Sequence, residues 1–212
     1  MRIAIISDIH ANLEALQVVI NDIKKKQIDA IFCLGDVVGY GEQPVEVIEL
    51  LKKHKVKCVM GNHDEAFVEK EQSLLFQEER TFNKVSIDRT SMEFIESLPL
   101  SISHNNLLFV HGMPPDSNLE YVNYSNPLVL QMSMSEMKES LAFVGHSHQF
   151  GIYESFCGYI KNIAFTNEVY QLSEHKTIVN IGSVGFSRDG DPRPAYAIYD
   201  DELHAVIKRR VN

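Results

Sequence analysis

Five short segments of the chain combine Asp, His and Asn side chains that could bind metal ions together. The segments are Asp8-Ile9-His10, Gly35-Asp36, Gly61-Asn62-His63-Asp64, His111-Gly112 and Gly145-His146-Ser147-His148. Carboxylate and amide oxygens mixed with neutral imidazoles suit Mn, Zn or Fe. A bridging carboxylate would let two ions lie about 3.5–4 Å apart, the spacing found in two-metal hydrolases. Asp36, in the second segment, is the natural bridge.

Residue spacing within two of the segments favours a shared site. In Asp8-Ile9-His10 and in His146-Ser147-His148, one residue separates two ligands, so an extended backbone would direct both to the same side. A lone Asp-x-His is more often a surface turn, and Gly-Asn-His-Asp alone could be a turn with Asn in the left-handed conformation. All five segments occur together, each after a strand-like run. We therefore expect a metal site.

The elements that must position these ligands begin with a repeated strand, loop and helix. Residues 2–7 form a β-branched run typical of a buried strand, and helical apolar spacing follows from Asn12, a good N-cap residue. The unit recurs with a strand at 30–34 and a helix that begins at Pro44. Such alternation indicates parallel βαβ units, in which loops at the carboxyl ends of strands line one crevice.

A third unit and a different second half complete the expected fold. The third unit has a strand at 57–60, a loop at 61–64 and polar helical sequence to about residue 98. The later strands are predicted at 107–110, 142–144, 151–155, 159–164, 177–181, 195–199 and 204–208. Those after residue 150 suggest antiparallel pairing. We predict a single α/β domain over residues 1–212, a four-layer α/β/β/α sandwich with two mixed sheets and a dinuclear metal site at strand carboxyl ends.

Composition limits the partners and the compartment. The net charge of −9 makes stable binding to nucleic acid unfavourable, because such binding needs clustered Lys and Arg. Three cysteines without zinc-type spacing fit buried free thiols in a reducing compartment. No segment has the shape of a signal peptide or the length to cross a bilayer, so we expect a cytoplasmic protein with no membrane contact. Exposed apolar surface could still mediate a homodimer.

The five segments resemble the motifs of the calcineurin-like metallophosphoesterase superfamily. That family pattern is Asp-x-His, Gly-Asp, Gly-Asn-His-Asp/Glu, a His before Gly, and Gly-His-x-His, and it is matched between Asp8 and His148. Residues 7–16, 35–41 and 180–185 are further similar to the small prokaryotic phosphodiesterase-like branch. The resemblance thus extends over nearly the whole chain.

The resemblance implies a role for each residue of the site. It assigns one divalent ion to Asp8, His10, Asp36 and His148, and the other to Asp36, Asn62, His111 and His146. Mn is the expected metal, and Fe, Zn, Co and Ni are alternatives. Water activated by the two cations would attack phosphorus, while Asn62 helps to neutralise the phosphoryl oxygens. His63 would not bind metal but would protonate the departing alkoxide, oriented by Asp64.

Residues farther along the chain are candidates for substrate binding. Arg188 and Arg193 resemble a family segment that reaches the substrate crevice, and a forked guanidinium suits a phosphate oxygen. The alternative for both is a solvated hairpin with internal Asp–Arg pairs. Tyr40 is either a packed loop aromatic or a stacking surface for a leaving group. Because Phe186-Ser187 replaces the Gln-Pro common in relatives, as Ala11 replaces Gly, the substrate-facing rim is expected to differ.

The favoured function is hydrolysis of small or nucleotide-like phosphodiesters. A phosphoprotein or phosphomonoester phosphatase is the first alternative. Those relatives carry Gly-Asp-x-x-Asp-Arg-Gly and Gly-Asn-His-Glu, whereas this chain has Tyr40 in the first motif and Asp64 in the second. An asymmetric dinucleoside polyphosphate hydrolase is also open. A non-catalytic scaffold, like the retromer subunit that lacks the catalytic His, is disfavoured because His63 is present.

Overall fold

The computed structural model describes residues 1–72 and 87–212, apart from the side chains of residues 70–72. Part of the predicted helical sequence between the third loop and residue 98 lies outside these residues. The described chain contains two six-stranded sheets and five helices. Elements are numbered in chain order.

The first sheet carries the amino-terminal strands and, beside them, the last strands of the chain. Its members are β1 (Arg2–Ile6), β2 (Ala30–Cys33), β3 (Lys57–Cys58), β9 (Val169–Gln171), β11 (Ala195–Asp200) and β12 (Ala205–Arg210), in the order β3-β2-β1-β11-β12-β9. Strands β1, β2 and β3 are parallel, and β11 runs antiparallel to β1. Three parallel strands therefore end at the same edge.

The second sheet has the same mixed character. Its members are β4 (Ser101–His104), β5 (Leu107–Val110), β6 (Leu141–Val144), β7 (Phe150–Phe156), β8 (Tyr159–Ile163) and β10 (Thr177–Ile181), in the order β4-β5-β6-β10-β7-β8. Strands β5, β6 and β10 are parallel, while β4, β7 and β8 pair antiparallel to their neighbours.

Local sequence signals mark where two of the helices begin. They are α1 (Leu13–Ile23), α2 (Pro44–Lys53), α3 (Asn62–Gln72), α4 (Arg89–Glu96) and α5 (Pro127–Glu136). The Asn12 side chain accepts a hydrogen bond from the Ala15 N–H and so caps α1. Pro44 occupies the first turn of α2, where a missing N–H has no cost.

Alternating residues of the strands build three apolar layers. Ile3 and Ile5 of β1 face the second sheet and pack with Phe32, Phe109 and other side chains between the two sheets. The rings of Phe32 and Phe109 stack 3.9 Å apart. The opposite faces of the sheets pack against helices, α1, α2 and α4 on the first sheet and α5 on the second. The predicted four-layer α/β/β/α sandwich is confirmed.

Several local predictions were wrong. Strand β10 is parallel to β6 as well as antiparallel to β7, so the strands after residue 150 are not uniformly antiparallel. Asn62, His63 and Asp64 lie in the first turn of α3, not in a loop. Two cysteines are buried, but Cys157 is exposed in the turn between β7 and β8. Strands β4 and β9 and helix α5 were not predicted.

Membrane insertion through a helix finds no support in the described part of the chain. None of its helices combines the length and the apolar character that a bilayer crossing requires.

Candidate metal centre

The carboxyl ends of five parallel strands, three in one sheet and two in the other, meet at one place. Asp8 follows β1, Asp36 follows β2, and Asn62 follows β3 at the start of α3. From the second sheet, His111 directly follows β5, and the segment with His146 and His148 follows β6. The backbone N–H of His146 lies 3.2 Å from both carboxylate oxygens of Asp8, so the two sheets join here.

Six buried side chains form two overlapping groups suited to metal binding. Within each group the candidate ligand atoms all lie within 4.8 Å of one another. One group is Asp8, His10, Asp36 and His148, and the other is Asp36, His111 and His146. Asn62 extends the second group, because its Oδ1 lies 3.1 Å from His111 Nε2. The structure thus brings together all seven residues assigned from the sequence, and Asp36 belongs to both groups.

Backbone carbonyls set the tautomers of two of the imidazoles. His111 Nδ1 lies 2.7 Å from the Leu34 carbonyl oxygen, and His148 Nδ1 contacts the Phe186 carbonyl oxygen. A carbonyl only accepts, so each Nδ1 must donate, and Nε2 is the nitrogen that carries the lone pair when the imidazole is neutral. His111 Nε2 faces Asp36 at 3.4 Å, and His148 Nε2 faces Asp8 at 3.2 Å. These lone pairs therefore point into the cluster.

His146 uses its other ring nitrogen to bind a backbone carbonyl. Its Nε2 lies 3.0 Å from the Leu119 carbonyl oxygen and must donate to it, which leaves the Nδ1 lone pair for a metal ion. The Tyr121 ring stacks on the imidazole at a centroid distance of 3.8 Å. Leu119 and Tyr121 were not predicted from the sequence, because they precede His146 by more than one element and carry no motif.

The ligand residues adopt an unusual backbone conformation. Asp8, His10, Asp36, His146 and His148 all have positive φ, between 50° and 66°. For residues other than glycine such a conformation costs on the order of 1–2 kcal/mol, and it clusters at functional sites. The expected extended conformation of Asp8-Ile9-His10 and His146-Ser147-His148 was therefore wrong. Left-handed turns direct these ligands inward, and backbone hydrogen bonds such as His10 N–H to the Asp36 carbonyl hold the turns.

Electrostatics of the cluster match a cation site. Burial alone would raise the pKa of Asp36, but His111 beside it keeps that pKa below its ordinary value. Burial would lower the pKa of His111, and Asp36 instead raises it to about 9. Burial opposes ionisation of Asp8 as well, while His148 and His111 keep its pKa low. Two buried carboxylates, an amide oxygen and four imidazoles are a donor set that fits two borderline divalent cations.

Asp64 ties together the loops that carry the ligands. Its Oδ1 accepts a hydrogen bond from the Val38 N–H and its Oδ2 accepts one from the Gly61 N–H, both at 3.0 Å. The second bond caps the amino terminus of α3, which lets the helix begin directly after Gly61. Burial and the Asp36 charge raise the pKa of Asp64 to about 7. These bonds connect Asp64 to the backbone instead of to the His63 ring.

His63 lies beside the cluster, where a substrate could reach it. Its backbone N–H donates to Asp36 Oδ1 at 2.9 Å, and its half-buried ring lies edge-on to His10 at 4.9 Å. Burial lowers the pKa of the imidazole. The ring of Tyr40, 44% exposed, contacts His10 at 4.5 Å and His63 at 4.9 Å. Tyr40 is thus a rim residue above both histidines.

The two arginines assigned to substrate binding occupy different surroundings. Arg188 donates to the Tyr40 hydroxyl at 3.3 Å, and its guanidinium lies over the Phe186 ring, so it belongs to the rim. Arg193 forms a bidentate ion pair with Asp191, in which Nη2 lies 2.6 Å from Oδ2. The internal Asp–Arg pair of the alternative prediction is present for Arg193.

Arg210 of β12 was not predicted from the sequence. Its guanidinium contacts Asp189 and donates to the Arg193 carbonyl at 2.6 Å and to the Ser187 hydroxyl at 3.2 Å. It therefore fixes the loop that carries Arg188. No local signal marks this role, because the contacts span about twenty residues of sequence.

Comparisons with known proteins agree with this geometry. The family model of the calcineurin-like phosphoesterase superfamily domain matches residues 1–202. An uncharacterized protein of Methanocaldococcus jannaschii is 36% identical over 218 residues, which is 94% of this chain and 83% of the relative. A metallophosphoesterase from Sphaerobacter thermophilus is 32% identical with a TM-score of 0.84, over 100% of this chain and 88% of that one.

A more distant structure shows the fold alone. A hypothetical protein from Pyrococcus horikoshii OT3 has a TM-score of 0.73 at 17% identity, and the match covers 100% of this chain and 88% of that one. With the family model matching nearly the whole chain and a buried Asp/His centre that indicates two divalent ions, the chain belongs to the calcineurin-like phosphoesterase superfamily and is a metallophosphoesterase.

Proposed function

We propose that the protein hydrolyses small or nucleotide-like phosphodiesters with two divalent ions, Mn²⁺ foremost. The observation that carries this proposal is the position of His63. Its ring lies 4.9 Å from His10 of the buried cluster and 4.9 Å from the rim residue Tyr40. An imidazole that lies between a metal cluster and an exposed rim is placed to protonate a leaving group. A non-catalytic scaffold would not need the His63 imidazole at this position.

The proposed ligand sets follow the two buried groups. Asp8, His10, Asp36 and His148 would hold one ion, and Asp36, Asn62, His111 and His146 would hold the other. When bound, the two cations would polarise the phosphoryl group and lower the pKa of a water molecule that attacks phosphorus.

The chain itself supplies orientation and the proton. Asn62 directs its Oδ1 toward His111, which leaves the amide N–H groups to donate to a phosphoryl oxygen. His63 gives its proton to the departing alkoxide. Asp64 holds the loops after β2 and β3 through the Val38 and Gly61 N–H groups, so it positions Asp36 and His63. We assign Asp64 a positioning role.

Charge at the rim supports diesters over monoesters. A phosphodiester carries one negative charge, whereas a phosphomonoester approaches two near neutral pH. Arg188 supports this preference, because its guanidinium donates to the hydroxyl of the rim residue Tyr40. A single guanidinium, the one that the described residues bring to Tyr40, suits a monoanionic phosphodiester.

The test compares two chromogenic substrates on protein stripped with chelator and reloaded with Mn²⁺. We expect kcat/KM for bis-p-nitrophenyl phosphate to exceed that for p-nitrophenyl phosphate. His63→Ala should lower diester turnover by about 10²–10⁴-fold, the usual contribution of a general acid. The matched control is His204→Ala, an exposed histidine between β11 and β12 that should leave turnover unchanged.

Other outcomes would redirect the assignment. A preference for the monoester would favour the phosphoprotein or phosphomonoester phosphatase. Turnover of diadenosine tetraphosphate without turnover of either chromogenic substrate would favour the asymmetric dinucleoside polyphosphate hydrolase. Metal binding without hydrolysis of any of these esters would contradict the proposed function.

A further inference from the structure

Ser183 is a buried serine whose hydroxyl connects two backbone segments of the metal centre. It lies just after β10, and its side chain is fully buried. The hydroxyl donates to the Asp8 carbonyl oxygen at 3.0 Å and accepts from the Phe186 N–H at 2.8 Å. The Ser183 carbonyl accepts from the Ala195 N–H of β11 at 2.9 Å. Ser183 is therefore anchored to the first sheet although it follows a strand of the second.

The bond from the Ser183 hydroxyl to Asp8 holds a strained turn. Asp8 has a φ of +53°, a conformation that persists only where surrounding contacts impose it. Its carbonyl oxygen also accepts from the Gly185 N–H at 2.9 Å. Beside it, the Ser7 carbonyl accepts from the Val184 N–H at 2.9 Å. The segment after β10 thus holds the segment after β1 through two backbone bonds and one side-chain hydroxyl.

The bond that Ser183 accepts leads to His148 through Phe186. The Phe186 N–H binds the Ser183 hydroxyl, and the Phe186 carbonyl accepts from His148 Nδ1. The His148 carbonyl accepts in turn from the Arg188 N–H at 3.2 Å. Because Phe186 is held on both sides, a shift of its backbone would turn the His148 imidazole.

Asp8 and His148 belong to the same proposed ligand set. Both are members of the group completed by His10 and Asp36, and neither belongs to the other group. His148 Nε2 lies 3.2 Å from Asp8 Oδ1, so their ligand atoms are neighbours. The ion assigned to this group is called the first ion below. The Ser183 hydroxyl therefore connects two ligands of the first ion that come from different sheets.

Asn180 shows a broader pattern of contacts. Its side-chain amide donates to the Gly145 carbonyl at 2.6 Å and to the Ser147 hydroxyl at 2.9 Å. These two residues flank His146, which belongs to the second group, and Ser147 precedes His148 of the first. Asn180 thus holds a segment that carries ligands of both ions, whereas the Ser183 hydroxyl reaches ligands of the first ion.

We infer that Ser183 is a positioning residue for the first ion and leaves the second ion unaffected. A hydroxyl is needed because it donates to one backbone group and accepts from another at the same time. The inference rests on the proposed ligand sets and not on the proposed phosphodiester substrate. It also links the loop after β10, which carries Arg188 to the rim, with binding of the first ion.

Calorimetric titration of chelator-stripped protein with Zn²⁺ is the first test. Ser183→Ala should weaken one of the two binding events about 10–100-fold, as is usual when a partner of a ligand is lost. The other event should change by less than about twofold, as expected for independent sites. Ser91→Ala is the control, a buried serine of α4 whose hydroxyl binds Asp88, and it should change neither event. Equal weakening of both events, or of neither, overturns the inference.

A second ligand variant identifies which ion is affected. In His148→Ala the contact through Phe186 is already lost, so adding Ser183→Ala should weaken Zn²⁺ binding by a smaller factor than in the wild type. In Asn62→Ala, which loses a ligand of the second ion, adding Ser183→Ala should have its full effect. The reverse pattern would assign Ser183 to the second ion and overturn the inference.

A pair of variants separates the hydroxyl from packing. Ser183→Thr and Ser183→Val add nearly the same volume at a fully buried position, but only Thr keeps a hydroxyl. We expect the Thr variant to bind the first ion about tenfold or more tightly than the Val variant. Equal affinities would show that packing and not the hydroxyl matters, which overturns the inference.

Hydrogen exchange in the wild-type protein tests the inference where a variant fails to fold. Binding of the first ion fixes His148, so the Phe186 and Arg188 N–H groups should exchange about tenfold or more slowly with excess Zn²⁺ than with chelator. The control is the Asp191 N–H, whose acceptor is Asp189 of the same loop, and its exchange should not change. An unchanged rate at Phe186 overturns the inference. These measurements need no turnover, so a failure to hydrolyse diesters contradicts the proposed function alone.

Discussion

Single residues of the metal centre differ in which imidazole nitrogen carries a proton. Carbonyl partners leave Nε2 of His111 and His148 as the nitrogen that faces the cluster, whereas the Leu119 carbonyl leaves Nδ1 of His146. Each imidazole therefore approaches the cluster in a fixed orientation. Such backbone partners raise the basicity of a ligand and hold its ring.

The pKa of His111 predicts a proton released on metal binding. Burial opposes a charge on this imidazole, but Asp36 raises its pKa to about 9, so it is protonated at pH 7. A metal ion needs the unprotonated nitrogen, and the proton must leave. We expect about one proton released from His111 per molecule at pH 7 and progressively fewer as the pH rises through 9.

Calorimetry in buffers of different ionisation enthalpy counts these protons. His111→Gln should remove the change in proton release between pH 7 and 10, because glutamine does not titrate. A proton count that stays constant across this pH range in the wild-type protein would contradict the assignment.

Stacking on His146 predicts a role for Tyr121 in holding the second ion. The Tyr121 ring lies 3.8 Å from the His146 imidazole, measured between centroids, at an interplanar angle of 17°. This stacking holds the imidazole that must present Nδ1 to an ion. Tyr121→Ala should weaken binding of one of the two ions about 10–100-fold, as is usual when a partner of a ligand is lost. Tyr121→Phe keeps the ring and should bind both ions as the wild type does. Isothermal titration with Zn²⁺ checks this, and equal affinity in the Ala variant would refute it.

Among the elements, the loops after β2 and β3 touch backbone to backbone. A Cβ added at Gly35, where φ is +93°, would lie 2.5 Å from the Gly61 nitrogen. The close approach lets Asp36 and Asn62 face the same cluster. No larger residue fits between these loops without moving one of them.

Gly35→Ala is therefore expected to destabilise the fold and disturb the metal centre. Gly190→Ala is the matched control, since Gly190 has a φ of +86° but no atom within 4 Å of an added Cβ. Both variants strain a left-handed backbone, and only the first creates a clash. We expect Gly35→Ala to lose about 1–3 kcal/mol more unfolding free energy than Gly190→Ala. Urea unfolding measures the difference, and equal losses would show that the loops can separate.

Helices and strands with regular patterns were predictable, and long-range contacts were not. The apolar spacing of α1 and the cap at Asn12 are local signals, and the helix lies where they indicate. Helix α5 escaped prediction because its buried side chains are few while Leu128 and Met132 are exposed, which obscures its helical period. Strand β9 has three residues and depends on β12 for its pairing.

For the site, the motifs indicated the ligands but not their surroundings. Each ligand belongs to a short pattern with a recognisable spacing. Arg210 and Tyr121 belong to no pattern, and only the folded chain brings them to the rim loop and to His146. The left-handed conformation of Asp8 could not be predicted either. The backbone preference of an Asp residue disfavours it, and only the hydrogen bonds of the folded chain impose it.

At the scale of the molecule, the metal centre joins the two sheets. Asp8 and Asp36 come from the first sheet and His111 and His148 from the second, so bound ions would cross-link the layers. A ligand that binds only the folded state stabilises it by mass action, by about 2.7 kcal/mol at a hundred times its Kd. For a chain of this size that corresponds to about 5–10 °C in Tm.

Thermal unfolding with Mn²⁺ and with excess chelator measures this effect. Addition of Mn²⁺ should raise Tm in the wild-type protein and raise it less in His148→Ala, which loses a ligand of one ion. An unchanged Tm on chelation would contradict a centre that links the sheets.

The place of β11 beside β1 has a consequence for synthesis on the ribosome. Residues Ile3 and Tyr199 are register partners, yet nearly the whole chain separates them. The nascent chain exposes Asp8, His10 and Asp36 early, while His146, His148 and the strand that completes the first sheet emerge much later. Because distant contacts form late, we expect the metal centre to stay incomplete until the segment with His146 and His148 has been synthesised and has joined the first sheet.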